Sequence, residues 1–521
     1  MVVSKMDGQR AMRIPLDRTP DRTRREPLAR QIQLHVERLI SQRLLAPGVK
    51  LPATRELARD LGVNRTTVAL AYDELVAGGW ARAHVGQGTF VADQVPGGAE
   101  AARPALPRFD WTGFLSKGAQ VIAADARRRV AYSQVPRPAP GVISFAGGMP
   151  DASLFPTDAF RRVLNRVIRD EGRELLQYYP ARGYPPLREY LAGYLLRFGL
   201  EVRPDEILIV NGSQQGFDLV ARTLLDPGDF VALEQPSYPR AMRVFRAYGA
   251  QLLPIPLIAG GLHVESLERL LERQSPKFVY CQPTAHNPTG LSMSAAARQR
   301  LVELAGRHRL PIVEDGFDGT LYYGARPPAP LKSQDPSGLV IYIGTFSKIL
   351  FPGLRLGWIV AHPELIERLE MAKDLADIHT SPILQAAVFH FCRQRLLDRH
   401  QARVLRESTR RRNALVASLA RRMPAGVTWT ESQGGFSLFV TLMEGMDAAA
   451  ILERAVRHGV AFTPGNAFFV DGGGEHTLRL SFSGIPVSQI DEGVKRLAET
   501  IREVERRPER APVVQPSVPL V

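Results

Sequence analysis

The 521-residue chain is 45% hydrophobic and 23% charged, an ordinary globular balance, and a length of this order predicts ~3–4 domains. No apolar run reaches the ~18–20 residues of a membrane span, the opening MVVSKMDGQR lacks the apolar segment of a secretion signal, and two cysteines, Cys281 and Cys392, exclude a disulfide framework, so a cytoplasmic protein with no membrane partner is expected. The formal charge of +14 invites polyanions but favours the N-terminus only modestly, since residues 1–95 hold 15 Lys and Arg against 10 Asp and Glu.

Residues 1–24 are polar and Arg-rich and read as an arm. From 27 to 45, Leu28, Ile32, Leu34, Val36, Leu39, Ile40 and Leu44 recur at roughly helical spacing, and Ala46-Pro47-Gly48 stops the helix. TRELARDLG (54–62) predicts a second helix with Thr54 as N-cap and Gly62 at its end, and NRTTVALAYDELVAGG (64–79) a third, capped by Asn64. WARAHVGQGTFV (80–91) reads as two strands turning at Gly86-Gln87-Gly88. Three helices and a β-wing over 25–93 make a winged helix-turn-helix, whose third helix enters the DNA major groove. Asn64, Arg65, Thr66 and Thr67 then stand where bases and phosphates are reached, Arg55 is placed for a phosphate, and Gly86 lets the wing backbone approach the minor groove. A helical adaptor with solvated arginines shares the bare three-helix pattern. The whole string from Gly48 to Val91, however, resembles the DNA-binding domain of GntR-family regulators, which implies DNA contacts by Arg55, Arg65, Thr66, Thr67 and Gly86.

Residues 94–140 read as a linker, interrupted by the apolar patch FDWTGFLS (109–116). After Gly141 the strand-like runs EILIVNG, DFVALEQ, FVYCQ, PIVEDG and LVIYIGTFS alternate with helical stretches, which predicts an α/β domain with a mainly parallel sheet. From about residue 392 a smaller α+β part continues to 506, and the Pro-rich 507–521 reads as a disordered tail.

The chemistry concentrates in GTFSKILFPGLRLGW (344–358). An amine used as an imine-forming nucleophile must lose its proton near neutral pH, which burial and neighbouring cations promote, and Lys348 has Arg355 seven positions on. Thr345, Ser347 and Arg355 supply hydroxyls and a guanidinium fork for a phosphate. Asp315 ends a strand where a carboxylate can face a ring nitrogen, Asn287 follows another strand in HNPTG, and Ser213 and Gln214 open a helix whose N–H groups can receive a phosphate. Singly, each has a plainer explanation as a surface lysine or a helix cap. The order GSQQ, PSYP, HNPTG, ED, SK-x6-R resembles that of the fold-type I pyridoxal-phosphate enzymes, the aspartate aminotransferase-like family, from about Gly141 to Arg506.

That resemblance implies pyridoxal 5'-phosphate bonded to Lys348, with Asp315 on the pyridine nitrogen, Asn287 on the phenolic oxygen, Tyr238 stacked on the ring, and Ser213, Gln214, Thr345, Ser347 and Arg355 around the phosphate. It implies a homodimer, through Tyr178 reaching the neighbouring subunit's phosphate. It also implies an effector whose carboxylate meets Arg479, with Arg240 as a second fork. Phe317 departs from the pattern, since relatives carry a tyrosine donor there, and an ionised Asp318 only accepts. Neither cysteine has metal-site spacing, and no metal is expected. The GntR-type segment joined to such a domain resembles the MocR/PdxR regulators over nearly the whole chain. The resemblance implies a transcriptional regulator sensing the cofactor or an amino-acid-like small molecule, and a working aminotransferase carrying a winged helix is the alternative.

Overall fold

The computed structural model describes residues 20–21, 26–42, 44–84, 86–93, 111–124, 141–316, 321–324 and 326–506. Phe317, Asp318 and the 507–521 tail lie outside the described residues, as do most of the 1–24 arm and the 94–140 linker. The chain divides into two compact units, Met1–Gly113 and Phe114–Val521.

In the first unit α1 (Leu28–Ser41), α2 (Thr54–Leu61) and α3 (Arg65–Ala77) precede a hairpin of β1 (Ala81–His84) and β2 (Gly88–Val91), with His84 opposite Gly88. Ile32, Val36, Leu39, Leu57, Val68, Ala71 and Leu75 form its core. Two expectations need correcting. Leu34 and Leu44 are 38% and 62% exposed: Leu34 falls off the 32/36/39/40 stripe, and α1 has ended before Leu44. Thr54 is the first residue of α2 and Ala53 holds the N-cap position, where the Glu56 carboxylate accepts the Ala53 N–H at 3.3 Å. Gly62 ends α2 at φ 63°, and the Asn64 Oδ1 accepts the Thr66 N–H at 3.1 Å.

The second unit is built on an eight-stranded sheet of order β4-β11-β10-β9-β8-β5-β6-β7. Its strands are β4 (Ile207–Val210), β5 (Phe230–Gln235), β6 (Gln251–Ile258), β7 (Gly261–Leu262), β8 (Phe278–Cys281), β9 (Ile312–Asp315), β10 (Val340–Thr345) and β11 (Gly357–Val360). The run β10-β9-β8-β5-β6 is parallel, whereas β11 lies antiparallel between β10 and β4. Helices α4 (Thr157–Leu175), α5 (Pro185–Leu196), α6 (Ser213–Leu224), α7 (Pro239–Ala247), α8 (Val264–Leu271), α9 (Ala295–His308), α10 (Pro363–Asp377) and α11 (Pro382–Arg393) cover both faces. Leu208, Val210, Leu233 and Ile343 pack with α6, α7 and α10, while their neighbours Ile207, Ile209 and Tyr342 pack with α4, α5 and α11. A sheet buried on both faces has near-continuous apolar strands, which is why the runs were legible.

The long α12 (Leu396–Arg422) leads into an antiparallel sheet of β12 (Thr428–Trp429), β13 (Ser437–Thr441), β15 (Thr463–Pro464) and β16 (Thr477–Ser481), flanked by α13 (Ala448–Arg457) and α14 (Val487–Arg506). The short β3 (Ile143–Ser144) pairs in parallel with β14 (Val460–Ala461), so residues just after 141 complete the C-terminal layer. Phe145, fully buried, anchors them there. Phe145→Ala should cost ~3–5 kcal/mol, read as a lower urea midpoint of the full-length protein. An unchanged midpoint would show that this pairing carries no stability.

Candidate functional site

The site forms where parallel strands end, the place at which open α/β sheets present ligands. β8 leads through Gln282 to Asn287, β9 ends at Asp315, and β10 ends at Thr345, just before Ser347 and Lys348. β4 leads through Gly212 into Ser213, the first residue of α6. Gly212 has φ 75°, and a Cβ there would stand 2.8 Å from the Arg355 guanidinium, so glycine lets Arg355 lie across the helix start. Arg355 donates to Ser347 Oγ at 3.4 Å and to the Asn211 carbonyl at 3.3 Å, and the Thr345 hydroxyl donates to Ser347 Oγ at 3.0 Å. Two hydroxyls, a guanidinium and a helix N-terminus meet here, a donor set suited to an anion. Gln214, next along α6, has a buried side-chain oxygen with no hydrogen-bond partner.

Lys348 Nζ donates to the Gly148 carbonyl at 2.9 Å. Burial first, then the charges of Arg479 and Arg240, bring its pKa down to about 8, with Asp315 opposing. Burial lifts the Asp315 carboxyl to about 6 against the hydrogen bonds it accepts. Those come from Gln282 Nε2 at 2.5 Å and the Tyr280 hydroxyl at 2.8 Å, and both reach Oδ2, leaving Oδ1 for a further partner. Tyr238 precedes α7 with its ring edge-on to Phe217. Arg479 donates to Asn287 Oδ1 at 3.1 Å and to the Gly147 carbonyl at 2.6 Å, which turns the Asn287 amide nitrogen away from it. Its guanidinium lies over the Phe468 ring at 5.0 Å, and its Nε is buried without a partner.

Of the two expected carboxylate forks, Arg479 lines one cleft with Lys348, Asn287, Gly148 and Ser437, whereas Arg240 stands exposed in the first turn of α7. Tyr178 is also apart: it is 81% exposed and edge-on to His379. In the first unit Arg55, Asn64, Arg65, Thr66 and Gly86 are all exposed and Thr67 is half-buried. A Cβ on Gly86, at φ 78°, would meet nothing within 4 Å. Among the described residues there is no cluster of metal-ligating side chains.

Gln282 is the functional candidate that sequence reasoning missed. Its side chain binds Asp315 through Nε2 and accepts the Asn287 N–H at 3.0 Å through Oε1, so one buried amide joins the partners of both ends of a ring. Behind it, the Gln282 N–H donates at 2.7 Å to Glu234, whose carboxyl burial pushes up to about 8. The only local signal was a polar residue directly after the apolar FVYC run.

Two family models match the chain: Aminotransferase class I and II over residues 142–497, and Bacterial regulatory proteins, gntR family, over 28–91. Aromatic-amino-acid aminotransferase 1 of Thermococcus litoralis is 40% identical over 70% of this chain and 88% of its own. The probable rhizopine catabolism regulatory protein MocR of Rhizobium meliloti is 31% identical over 93% of this chain and 96% of its own, and so spans both units. The crystal structure of LysN, the α-aminoadipate aminotransferase of Thermus thermophilus, complexed with N-(5'-phosphopyridoxyl)-L-leucine, superposes with a TM-score of 0.70, 37% identity and coverage of 76% of this chain and 100% of that one. The chain belongs to the aminotransferase class I and II family, among its MocR-type members that carry a GntR helix-turn-helix segment.

The cofactor of that family is pyridoxal 5'-phosphate, and the residues present fit it. An amine of lowered pKa, a carboxylate with a spare oxygen and an anion cradle of two hydroxyls, a guanidinium and a helix N-terminus match its aldehyde, ring nitrogen and phosphate end. Gln282→Leu should weaken cofactor binding at least tenfold at neutral pH, because Asp315 then keeps Tyr280 alone and protonates more readily; titration by visible absorbance measures it. Affinity equal to wild type would mean the bridge does not hold the site.

Proposed function

We propose that this protein is a transcriptional regulator that binds duplex DNA through the winged helix and takes pyridoxal 5'-phosphate, together with an amino-acid-like effector, in the second unit. The observation that carries the proposal is the coexistence in one chain of an exposed Arg65-Thr66 helix start and a half-buried Lys348 within electrostatic reach of Asp315.

When bound, the cofactor supplies an aldehyde for an amine and a protonated ring that draws electrons. Lys348 would hold that aldehyde, and its lowered pKa keeps a useful fraction of the amine neutral. Asp315 Oδ1 would hold the ring-nitrogen proton, Asn287 would donate to the phenolic oxygen, and Tyr238 would cover a ring face. Ser213, Gln214, Thr345, Ser347 and Arg355 would bind the phosphate. Arg479, already turned into the cleft, would take the effector's carboxylate, with Arg240 as a second contact from the rim. The exposed Tyr178 makes sense if it completes the phosphate site of a second subunit, so the working form is a homodimer. Among the described residues no helix is long and apolar enough to cross a membrane.

Several relatives with closely similar cofactor domains bear aminotransferase names, so turnover is the rival outcome. Sustained conversion of an amino acid to its oxo acid, with no ligand effect on DNA binding, would decide for catalysis. For the regulator, the loaded protein absorbs in the visible, and borohydride leaves the cofactor on the peptide containing Lys348. Lys348→Ala should lose the band, and an unchanged band would remove Lys348 from the site.

The pH dependence follows from the shifts of Lys348 and Asp315. The neutral amine attacks, so attachment should accelerate from pH 7 to 9 with a midpoint of about 8. Asp315 must be ionised, so affinity should fall as the pH drops through about 6. A flat profile across both ranges contradicts these assignments. On the DNA side, Arg65→Ala should cost roughly 1–3 kcal/mol on a selected operator and relax base preference. Wild-type affinity and selectivity would place the reading helix elsewhere.

A further inference from the structure

The outer face of α12 carries arginines that nothing in the cofactor site uses. Arg399, Arg403, Arg406 and Arg410 are all exposed, at spacings of four, three and four residues. At 3.6 residues per turn they fall within roughly 60° of arc, a single stripe ~16 Å long. The opposite side of the helix, through Leu397, Val404, Ser408, Arg411 and Leu415, is buried.

The charges around this stripe are unevenly shared. Within α12 the acidic residues are Asp398 and Glu407. Asp398 accepts from Arg197 at 2.9 Å, and Glu407 pairs with the buried Arg411 at 3.0 Å, lying 3.6 Å from Arg410. Arg411 is further held by Asp151 at 2.6 Å. Among the described residues no carboxylate is in ion-pairing range of Arg399, Arg403 or Arg406. Like charges one turn apart disfavour a helix, so the stripe does not serve the helix's own stability.

We infer that the outer face of α12 is a second contact surface for the phosphate backbone of duplex DNA, separate from the winged helix. Arginine is suited to phosphate oxygens, and a stripe of this length runs alongside about five phosphates of one strand at 3.4 Å of axis each. A bilayer surface would also attract the charge. Yet Ala417 shares the arc, Ala402 and Asn413 flank it, and no aromatic or large aliphatic side chain lies within it to enter the acyl region. Tethering to a DNA-reading unit keeps duplex at high local concentration, so each contact need only be weak. Without base readout such contacts add affinity and salt dependence, and no sequence preference.

The test uses the full-length protein and a mixed-sequence duplex of about 60 base pairs, with affinity measured across a salt series. Replacing all four positions together (Arg399→Gln, Arg403→Gln, Arg406→Gln, Arg410→Gln) should reduce the slope of log affinity against log salt by about 3.6, at ~0.9 per lost phosphate contact, and weaken binding at least tenfold near 0.1 M salt. The matching lysine set, which keeps the charge, should retain the slope. The single change Arg403→Gln should lower it by about 1 and serves if the fourfold variant proves unstable. Slope and affinity within about twofold of wild type overturn the inference. So does an unchanged DNA slope accompanied by lost binding to phosphatidylserine vesicles, which assigns the stripe to a lipid surface. Arg65→Ala alone should leave the α12-dependent part of the slope in place, so failure of the winged-helix assignment is seen separately.

Discussion

A lysine amine that must react near neutral pH cannot sit in water, where it keeps its proton to above pH 10. The second unit is arranged around removing that water without losing control of the charge. Lys348 follows the end of β10, half-buried, its amine tied to the Gly148 carbonyl, with Arg479 and Arg240 adding repulsion and Asp315 limiting it. Burial that lowers a base also raises an acid, so the same desolvation works against an ionised Asp315. The hydrogen bonds from Gln282 and Tyr280 offset it. The site thus holds two oppositely shifted groups whose ranges bracket neutrality.

Those hydrogen bonds need a rigid frame, and the sheet provides one. Parallel strands β8, β9 and β10 bring residues from three distant segments to one edge, and helices on both faces hold the strand ends in place. The mobile-looking pieces of the chemistry, long guanidinium side chains, are fixed by backbone carbonyls: Arg479 by Gly147, Arg355 by Asn211. Carbonyl anchoring leaves the positive charge free for an incoming anion. A carboxylate partner would have cancelled it.

The winged helix is governed by the opposite requirement. Its apolar stripe is consumed inside a small core, while the helix-start residues Arg65 and Thr66 remain in solvent. One unit draws an amine partly out of water and the other leaves its helix start in it. A ligand held by the first affects the second only if the two have states that the ligand distinguishes.

Much of this was legible in the amino-acid order. The α3 start, the wing turn at Gly86, the strands carrying Asp315 and Thr345, and the run around Lys348 depend on local periodicity and on residue types with special backbone or chemical properties, which a single stretch encodes. Other features depend on which distant residues share a space, and only the tertiary structure decided them. The Gln282 amide became a bridge because β9 lies beside β8, and β3 became part of the C-terminal layer because Phe145 finds its pocket there. Thr54 lost the expected capping role because the turn ended one residue earlier, with Glu56 serving Ala53. The arginines of α12 look in sequence like any mixed-charge helix, since Asp398 and Glu407 stand among them. Folding engages Asp398 with Arg197 and Glu407 largely with Arg411, and charge that is balanced along the chain becomes unbalanced on the surface.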